Sequence, residues 1–182
     1  MARKKKDKWL ICGLPACGKT SLIHELANLK SFKAFELCDL DELVLVDVKK
    51  YKNISDLIAK EGWDFFRQKE ESIIDKTIKK EKFILALGGG SLTQQLLANE
   101  TLHFICLNLS ANESWERIKD DKNRPLRLKG REQCLAIFKR RDELFKKVPI
   151  QIKMTINVLH LTELMDIEPL NKESRLILGN KA

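Results

Sequence analysis

The stretch "GLPACGKT", Gly13 to Thr20, constrains this chain more than any other, because it satisfies G-x-x-x-x-G-K-[ST] between the apolar run "WLIC" and the helix-like "SLIHELANL". A glycine turn between a buried strand and a helix brings backbone N–H groups and the positive helix N-terminus to one point. Such a point holds phosphate. Gly13, Pro15, Ala16, Cys17, Gly18 and Ser21 are read as its loop and helix-start contacts. Lys19 reaches the β- and γ-phosphates, and the Thr20 hydroxyl ligates Mg²⁺. The motif names a mononucleotide and leaves hydrolysis, signalling and transfer all open.

The rest of the chain supplies the fold such a loop requires. Strands are expected at Trp9 to Cys12, Ala34 to Cys38, Phe83 to Leu87, His103 to Leu109 and Met154 to Val158. Helices are expected at Lys19 to Leu29, Leu40 to Lys49, Ile54 to Lys60, Asp64 to Lys80, Ser91 to Ala98, Asn112 to Asp120 and Gln133 to Lys146. In the fourth of these, Phe66, Ile73, Ile74 and Ile78 share one face while Lys69, Lys76 and Lys79 take another. Buried strands joined by helices predict an α/β fold, a parallel sheet covered on both faces. At 182 residues it is a single domain.

Composition excludes several classes. With 43% hydrophobic and 33% charged residues the chain is neither disordered nor fibrous. Apolar runs such as Phe83 to Leu87 fall far short of the roughly 18 residues of a membrane span. The apolar part of "MARKKKDKWLICGL" is too short for a signal peptide, so the chain reads as cytoplasmic. The five cysteines include no C-x-x-C pair and read as reduced, packed thiols, and the three histidines are too scattered for a metal cluster. The net charge of +8 comes from short lysine runs at element ends without aromatic interleaving. That pattern describes a solvated face rather than a nucleic-acid groove, and it suits a polyanionic small substrate.

Three further stretches bear on the phosphate's destination. "CDLDEL" places Asp39 and Asp41 just after the second expected strand, at the sheet edge where ligands sit. One carboxylate can hold a metal's water shell and the other an acceptor hydroxyl. Equally, Asp39 suits capping of the next helix, with Asp41 and Glu42 as first-turn acids. "LALGGGSL" sets Gly88, Gly89 and Gly90 directly after a buried strand, an entropic cost best explained by close approach of a ligand. Arg67, in "EGWDFFRQKEE", can grip a carboxylate or phosphate with its planar fork, or can serve as a surface partner of Glu70 or Glu71.

Together the loop, "CDLD", "ISDLIAKEGWDFFRQKE", "ILALGGG", "ERIKDDKNRPL" and "KRRDELF" stand in an order and spacing in which the chain resembles the shikimate kinases over residues 9 to 149. The resemblance implies transfer of the γ-phosphoryl group of ATP to the 3-hydroxyl of shikimate, giving 3-phosphoshikimate and ADP for chorismate and aromatic amino acid synthesis. It implies a P-loop kinase of the nucleoside monophosphate kinase type, three α/β/α layers around a five-stranded parallel sheet. A shikimate-binding region at about 39–70 and a mobile lid at about 120–132 go with it. So do residue roles. Asp41 would bind the shikimate hydroxyls and orient or deprotonate the attacking one, and Asp39 would help fix Mg²⁺ through water. Arg67 and Arg141 would clamp the shikimate carboxylate, with Gly88, Gly89 and Gly90 bringing N–H groups to the ring. Arg124 would descend with the lid onto the transferring phosphoryl group, and Arg117 would stack on adenine. Lys19, Asp41 and Arg124 are then the catalytic set of a monomer that takes ATP, shikimate and Mg²⁺ but neither nucleic acid nor membrane.

The chain departs from the family pattern in two places. Family P-loops usually carry glycine where Ala16 stands, and "LPAC" has none. If that position requires a positive φ, alanine costs about 1 kcal/mol there. The family's R-x-P-L-Y appears as "RDELF", which keeps Arg141 and an aromatic at Phe145 without the proline. Beyond about Ile150 no motif matches, and the tail from Asn171 to Ala182 reads as a loosely packed helix. Two alternatives remain: a kinase of the same fold acting on gluconate, a nucleoside or a nucleoside monophosphate, and an ATP-binding regulatory protein aided on nucleic acid by its basic N-terminus. D-x-D with two arginines and a triple glycine favours a hydroxylated carboxylic acid over a nucleobase, and the paired Asp41 and Arg67 speak against the regulatory reading.

Overall fold

The computed structural model describes residues 6–153 and 158–165. Short apolar runs form β1 (Lys8–Cys12), β2 (Glu36–Asp39), β3 (Phe83–Ala86), β4 (His103–Asn108) and β5 (Ile150–Lys153). They make one parallel sheet in the order β2-β3-β1-β4-β5, with Leu10 level with Leu85 and Phe104, and Cys12 level with Cys106. The helices are α1 (Lys19–Ala27), α2 (Leu40–Val48), α3 (Ile54–Thr77), α4 (Gln94–Leu97), α5 (Ala111–Ile118), α6 (Arg131–Phe145) and α7 (Val158–Leu164).

Alternation along the strands builds a core on each face of the sheet. Leu10, Cys12, Leu85, Phe104 and Cys106 pack with Val44, Phe66, Ile118 and Phe138 from α2, α3, α5 and α6. Trp9, Ile11, Ile84 and Ile105 pack on the opposite face with Ile23 and Leu26 of α1 and Leu161 of α7. This is the expected three-layer α/β/α fold. The chain leaves β1 in one direction across the sheet and reaches β4 in the other, so the ends of β1 and β3 open onto a crevice, where such folds bind ligands.

Most expected elements are present with shifted ends. Ile54 to Lys60 and Asp64 to Lys80 join as α3, broken at Gly62, whose φ of 87° and ψ of 169° are not helical. The helix expected over Ser91 to Ala98 shrinks to α4, because Ser91 closes a turn onto the Gly88 carbonyl and Thr93 takes the cap. A fifth strand lies at Ile150–Lys153; of the stretch expected as a strand, Met154 to Val158, residues 154–157 lie outside the described residues and Val158 opens α7. Its alternation, Ile150 and Ile152 with Gln151 and Lys153, marks an edge strand that a search for continuous apolar runs passes over. The tail from Asn171 to Ala182 also lies outside the described residues. All five cysteines are free and buried, as the sequence suggested. Among the described residues, no helix is long and apolar enough to cross a membrane.

Candidate active site

The loop after β1 begins with a turn, Leu14-Pro15-Ala16-Cys17, closed by the Cys17 N–H on the Leu14 carbonyl at 3.3 Å. Pro15 presets the first central position, and Ala16 takes φ 59° at the second, the pattern of a type II turn, which requires positive φ there. The alanine therefore carries the left-handed backbone that glycine would adopt freely. Two side chains of α5 hold the turn: Ser114 Oγ donates to the Pro15 carbonyl at 2.8 Å, and Arg117 Nη1 to the Ala16 carbonyl at 3.0 Å. Gly18, at φ 94°, then opens α1. Lys19 is buried, with Nζ donating to the Gly13 carbonyl at 2.9 Å and the Leu14 carbonyl at 3.0 Å and lying 3.4 Å from Cys17 Sγ.

The capping reading of the acidic pair is realised, and Asp39 also meets the phosphate loop. Asp39 caps α2, with Oδ1 accepting from the Asp41 N–H at 2.9 Å, while its Oδ2 accepts from the Thr20 hydroxyl at 2.6 Å. A hydroxyl and a carboxylate meeting beside the phosphate loop are hard oxygen donors of the kind Mg²⁺ takes alongside substrate phosphates, so the residues fit that ion. Among the described residues no cluster of three or more His, Cys, Asp or Glu could hold a metal by protein ligands alone. Asp41 lies in the first turn of α2 and lines the same cavity. Burial, then the charges of Asp39 and Glu70, push its carboxyl up to about 6, against smaller downward pulls from Arg124 and Lys19.

Across the crevice, α3 carries Arg67 with Nη1 on Glu70 Oε2, and Glu70, only 2% exposed, accepts from Ser91 Oγ at 2.5 Å through its other oxygen. The guanidinium also lies over the rings of Trp63 and Phe66, 5.4 and 5.2 Å from their centroids. Arg67 is thus the partner of Glu70 and a lining residue of the cavity at once. Arg141 of α6 meets it over Gly90: a Cβ there would stand 2.6 Å from Arg141 Nη2 and 2.9 Å from Arg67 Nη2. Burial and the neighbouring Arg67 push Arg141 down to about 10. Two cations against one buried carboxylate leave this corner seeking an anion.

A single cavity of about 460 Å³ joins the two halves. Pro15, Ala16, Gly18, Lys19, Thr20 and Ser21 line one end, Asp39 and Asp41 the middle, and Arg67, Gly88, Gly89, Gly90 and Arg141 the other end. Arg124, 3.4 Å from Asp121, lines it together with Pro125 and Leu126 of a short 3-10 turn. Gly13 and Cys17 do not line it, and Arg117 borders a second cavity of about 720 Å³ with Leu14, Asn108 and Lys153. Glu70, Ser91, Trp63 and Ser114 escaped the sequence reading as site residues. A glutamate three places after Arg67 was visible, but only burial distinguishes it from an ordinary helix pair.

Fold and site define a P-loop phosphotransferase of the nucleoside monophosphate kinase type with a cationic corner in its cavity. The profile of the shikimate kinase family matches residues 15–159. The chain belongs to the shikimate kinase family, whose members are ATP-dependent kinases that phosphorylate a shikimate hydroxyl. A shikimate kinase of Rhodococcus jostii is 31% identical over 147 residues, covering 78% of this chain and 83% of the relative. One from Clostridium botulinum is 30% identical over 145 residues, covering 78% and 84%. The solved structure of shikimate kinase from Acinetobacter baumannii in complex with shikimate superposes with a TM-score of 0.69 at 25% identity, covering 96% of this chain and 94% of that one.

Proposed function

We propose that this chain transfers the γ-phosphoryl group of ATP to the 3-hydroxyl of shikimate, with the P-loop as donor site and the Arg67, Gly90 and Arg141 corner as acceptor site. The observation that carries the residue assignment is the meeting of two guanidiniums over one glycine, in the same cavity as Lys19 and Asp41. A carboxylate seated there takes charge-assisted hydrogen bonds from both forks, while the N–H groups of Gly88, Gly89 and Gly90 border the ring. A carboxyl with its midpoint at about 6 is ionised at neutral pH, so Asp41 accepts a hydrogen bond from the attacking hydroxyl and orients it.

On the donor side, Lys19 exchanges the Gly13 and Leu14 carbonyls for the β- and γ-phosphates. Mg²⁺ would be held by Thr20 and, through water, Asp39, and supplies neutralisation of phosphate charge. Residues 120–132 act as the lid, in which Arg124 leaves Asp121 for the transferring group and water is excluded. The cavity bordered by Arg117 takes adenine. The chain works as a monomer: among the described residues, Val46 and Leu128 are the large apolar side chains left exposed, and they lie on different elements. A dimer mass in sedimentation would overturn that part.

The deciding experiment supplies Mg-ATP with and without an acceptor. ADP should form rapidly only when shikimate is added. Equal rates without it, or stimulation by gluconate or a nucleoside monophosphate instead, would overturn the assignment.

A further inference from the structure

The P-loop turn holds an alanine in a backbone conformation that favours glycine, and the loop's own contacts do not explain why it stays there. A turn such as Leu14-Pro15-Ala16-Cys17 has two forms related by a half rotation of its central peptide, here Pro15–Ala16. The form with negative φ at the third position suits alanine; the form observed, with φ 59°, suits glycine. Because a trans peptide points its C=O and N–H in opposite directions, the rotation decides which of the two faces α5.

Ser114 decides it. The side chain is fully buried, and Oγ donates to the Pro15 carbonyl at 2.8 Å across 99 residues of chain. That bond draws the C=O towards α5 and turns the Ala16 N–H away from it. Arg117 adds a second hold on the next carbonyl, that of Ala16, at 3.0 Å. A backbone in a costly region persists only where its surroundings over-determine it, and these two bonds are that determination. Pro15 and Ala16 both line the cavity, so the rotated peptide would present a carbonyl oxygen where phosphate requires a donor.

We infer that Ser114 is a positioning residue for phosphate binding, holding the Pro15–Ala16 peptide with its N–H available to the nucleotide and its carbonyl turned onto α5. The inference rests on the P-loop as the ATP site. It makes nucleotide affinity depend on a hydroxyl far away in sequence, and the dependence exists because residue 16 is alanine. With glycine there, the left-handed form needs little support.

The test titrates Mg-ADP calorimetrically into the wild type, Ser114→Ala, Ala16→Gly and the double variant, with KM for ATP and for shikimate measured alongside. Ser114→Ala should weaken Mg-ADP binding about tenfold and raise KM for ATP alike, leaving KM for shikimate unchanged. In the Ala16→Gly background the same change should cost less than about threefold. Ser114→Cys, similar in volume but a weaker donor, should fall between the serine and alanine proteins. Equal losses in both backgrounds would overturn the proposal. So would a Ser114→Ala protein that melts earlier yet binds Mg-ADP as the wild type does. Because Mg-ADP binding is read directly, inactivity of the wild type on shikimate would overturn the acceptor assignment without touching this coupling.

Discussion

The proposed donor end of the cavity is made of consecutive residues presenting backbone, whereas the proposed acceptor end is made of side chains gathered from separate elements. Gly13 to Thr20, the proposed phosphate site, lie within one loop and the first residues of α1. The acceptor corner draws Arg67 and Glu70 from α3, Gly90 and Ser91 from the loop after β3, and Arg141 from α6. Backbone N–H groups in a fixed turn can serve any phosphate. Selecting one acceptor needs charges placed by packing, and those charges must be neutralised or they destabilise the fold. Glu70 performs that neutralisation for Arg67 and leaves Arg141 unbalanced.

If the halves are this separate, removing one function should spare the other. The largest effect belongs to Lys19→Met, expected to lower kcat about 10³-fold while shikimate still binds with near wild-type affinity, by calorimetry. Loss of shikimate binding in that variant would break the separation. Next is Arg67→Ala, which removes one of the two guanidiniums that meet over Gly90. KM for shikimate should rise roughly a hundredfold with KM for ATP little changed, because truncating one partner of a buried charge pair typically costs 2–5 kcal/mol. A parallel rise in both constants would show that the corner is not independent.

Asp41 lies between the halves and gives the third prediction. With its carboxyl raised from 3.8 to about 6, kcat/KM should be level at higher pH and fall about tenfold per unit below about pH 6, as the acceptor of the hydroxyl proton becomes protonated. The same shift has a consequence for stability. The folded state binds the extra proton, so folding stability should decline as pH rises from about 4 to 6 and this buried carboxylate ionises. Asp41→Asn should abolish both slopes; an acid limb that survives the substitution would assign it to another group.

The halves also differ in how far they are legible in sequence. The donor site is readable because spacing alone encodes it: G-x-x-x-x-G-K-T needs only a strand before and a helix after, and both are present as β1 and α1. In the acceptor site Arg67 and the triple glycine are readable, but their meeting with Arg141 depends on how α3 and α6 pack against the sheet. Glu70 looks like any helix carboxylate until its 2% exposure is known. Ser114 carries no local signal, since its partner stands 99 residues away. Strand β5 is hard to read for a different reason, half-buried alternation at a sheet edge in place of an apolar run.

The smallest expected effect bears on the donor half alone. Alanine in the left-handed region costs about 1–2 kcal/mol, and a glycine there forfeits about 0.4–1 kcal/mol through its freer unfolded chain. The difference favours Ala16→Gly by about 0.5–1 kcal/mol, a rise in Tm of roughly 1–4 °C for a chain of this length. Gly13→Ala should move the other way and further. Its φ is 143°, and a Cβ there would stand 2.5 Å from the backbone oxygen of Leu107 in β4, an atom that the sheet holds in place. Comparing the two Tm shifts separates strain that α5 compensates from a steric limit that nothing can. If Ala16→Gly instead lowered Tm, the turn would carry no strain at residue 16, and the coupling to Ser114 would lose its cause.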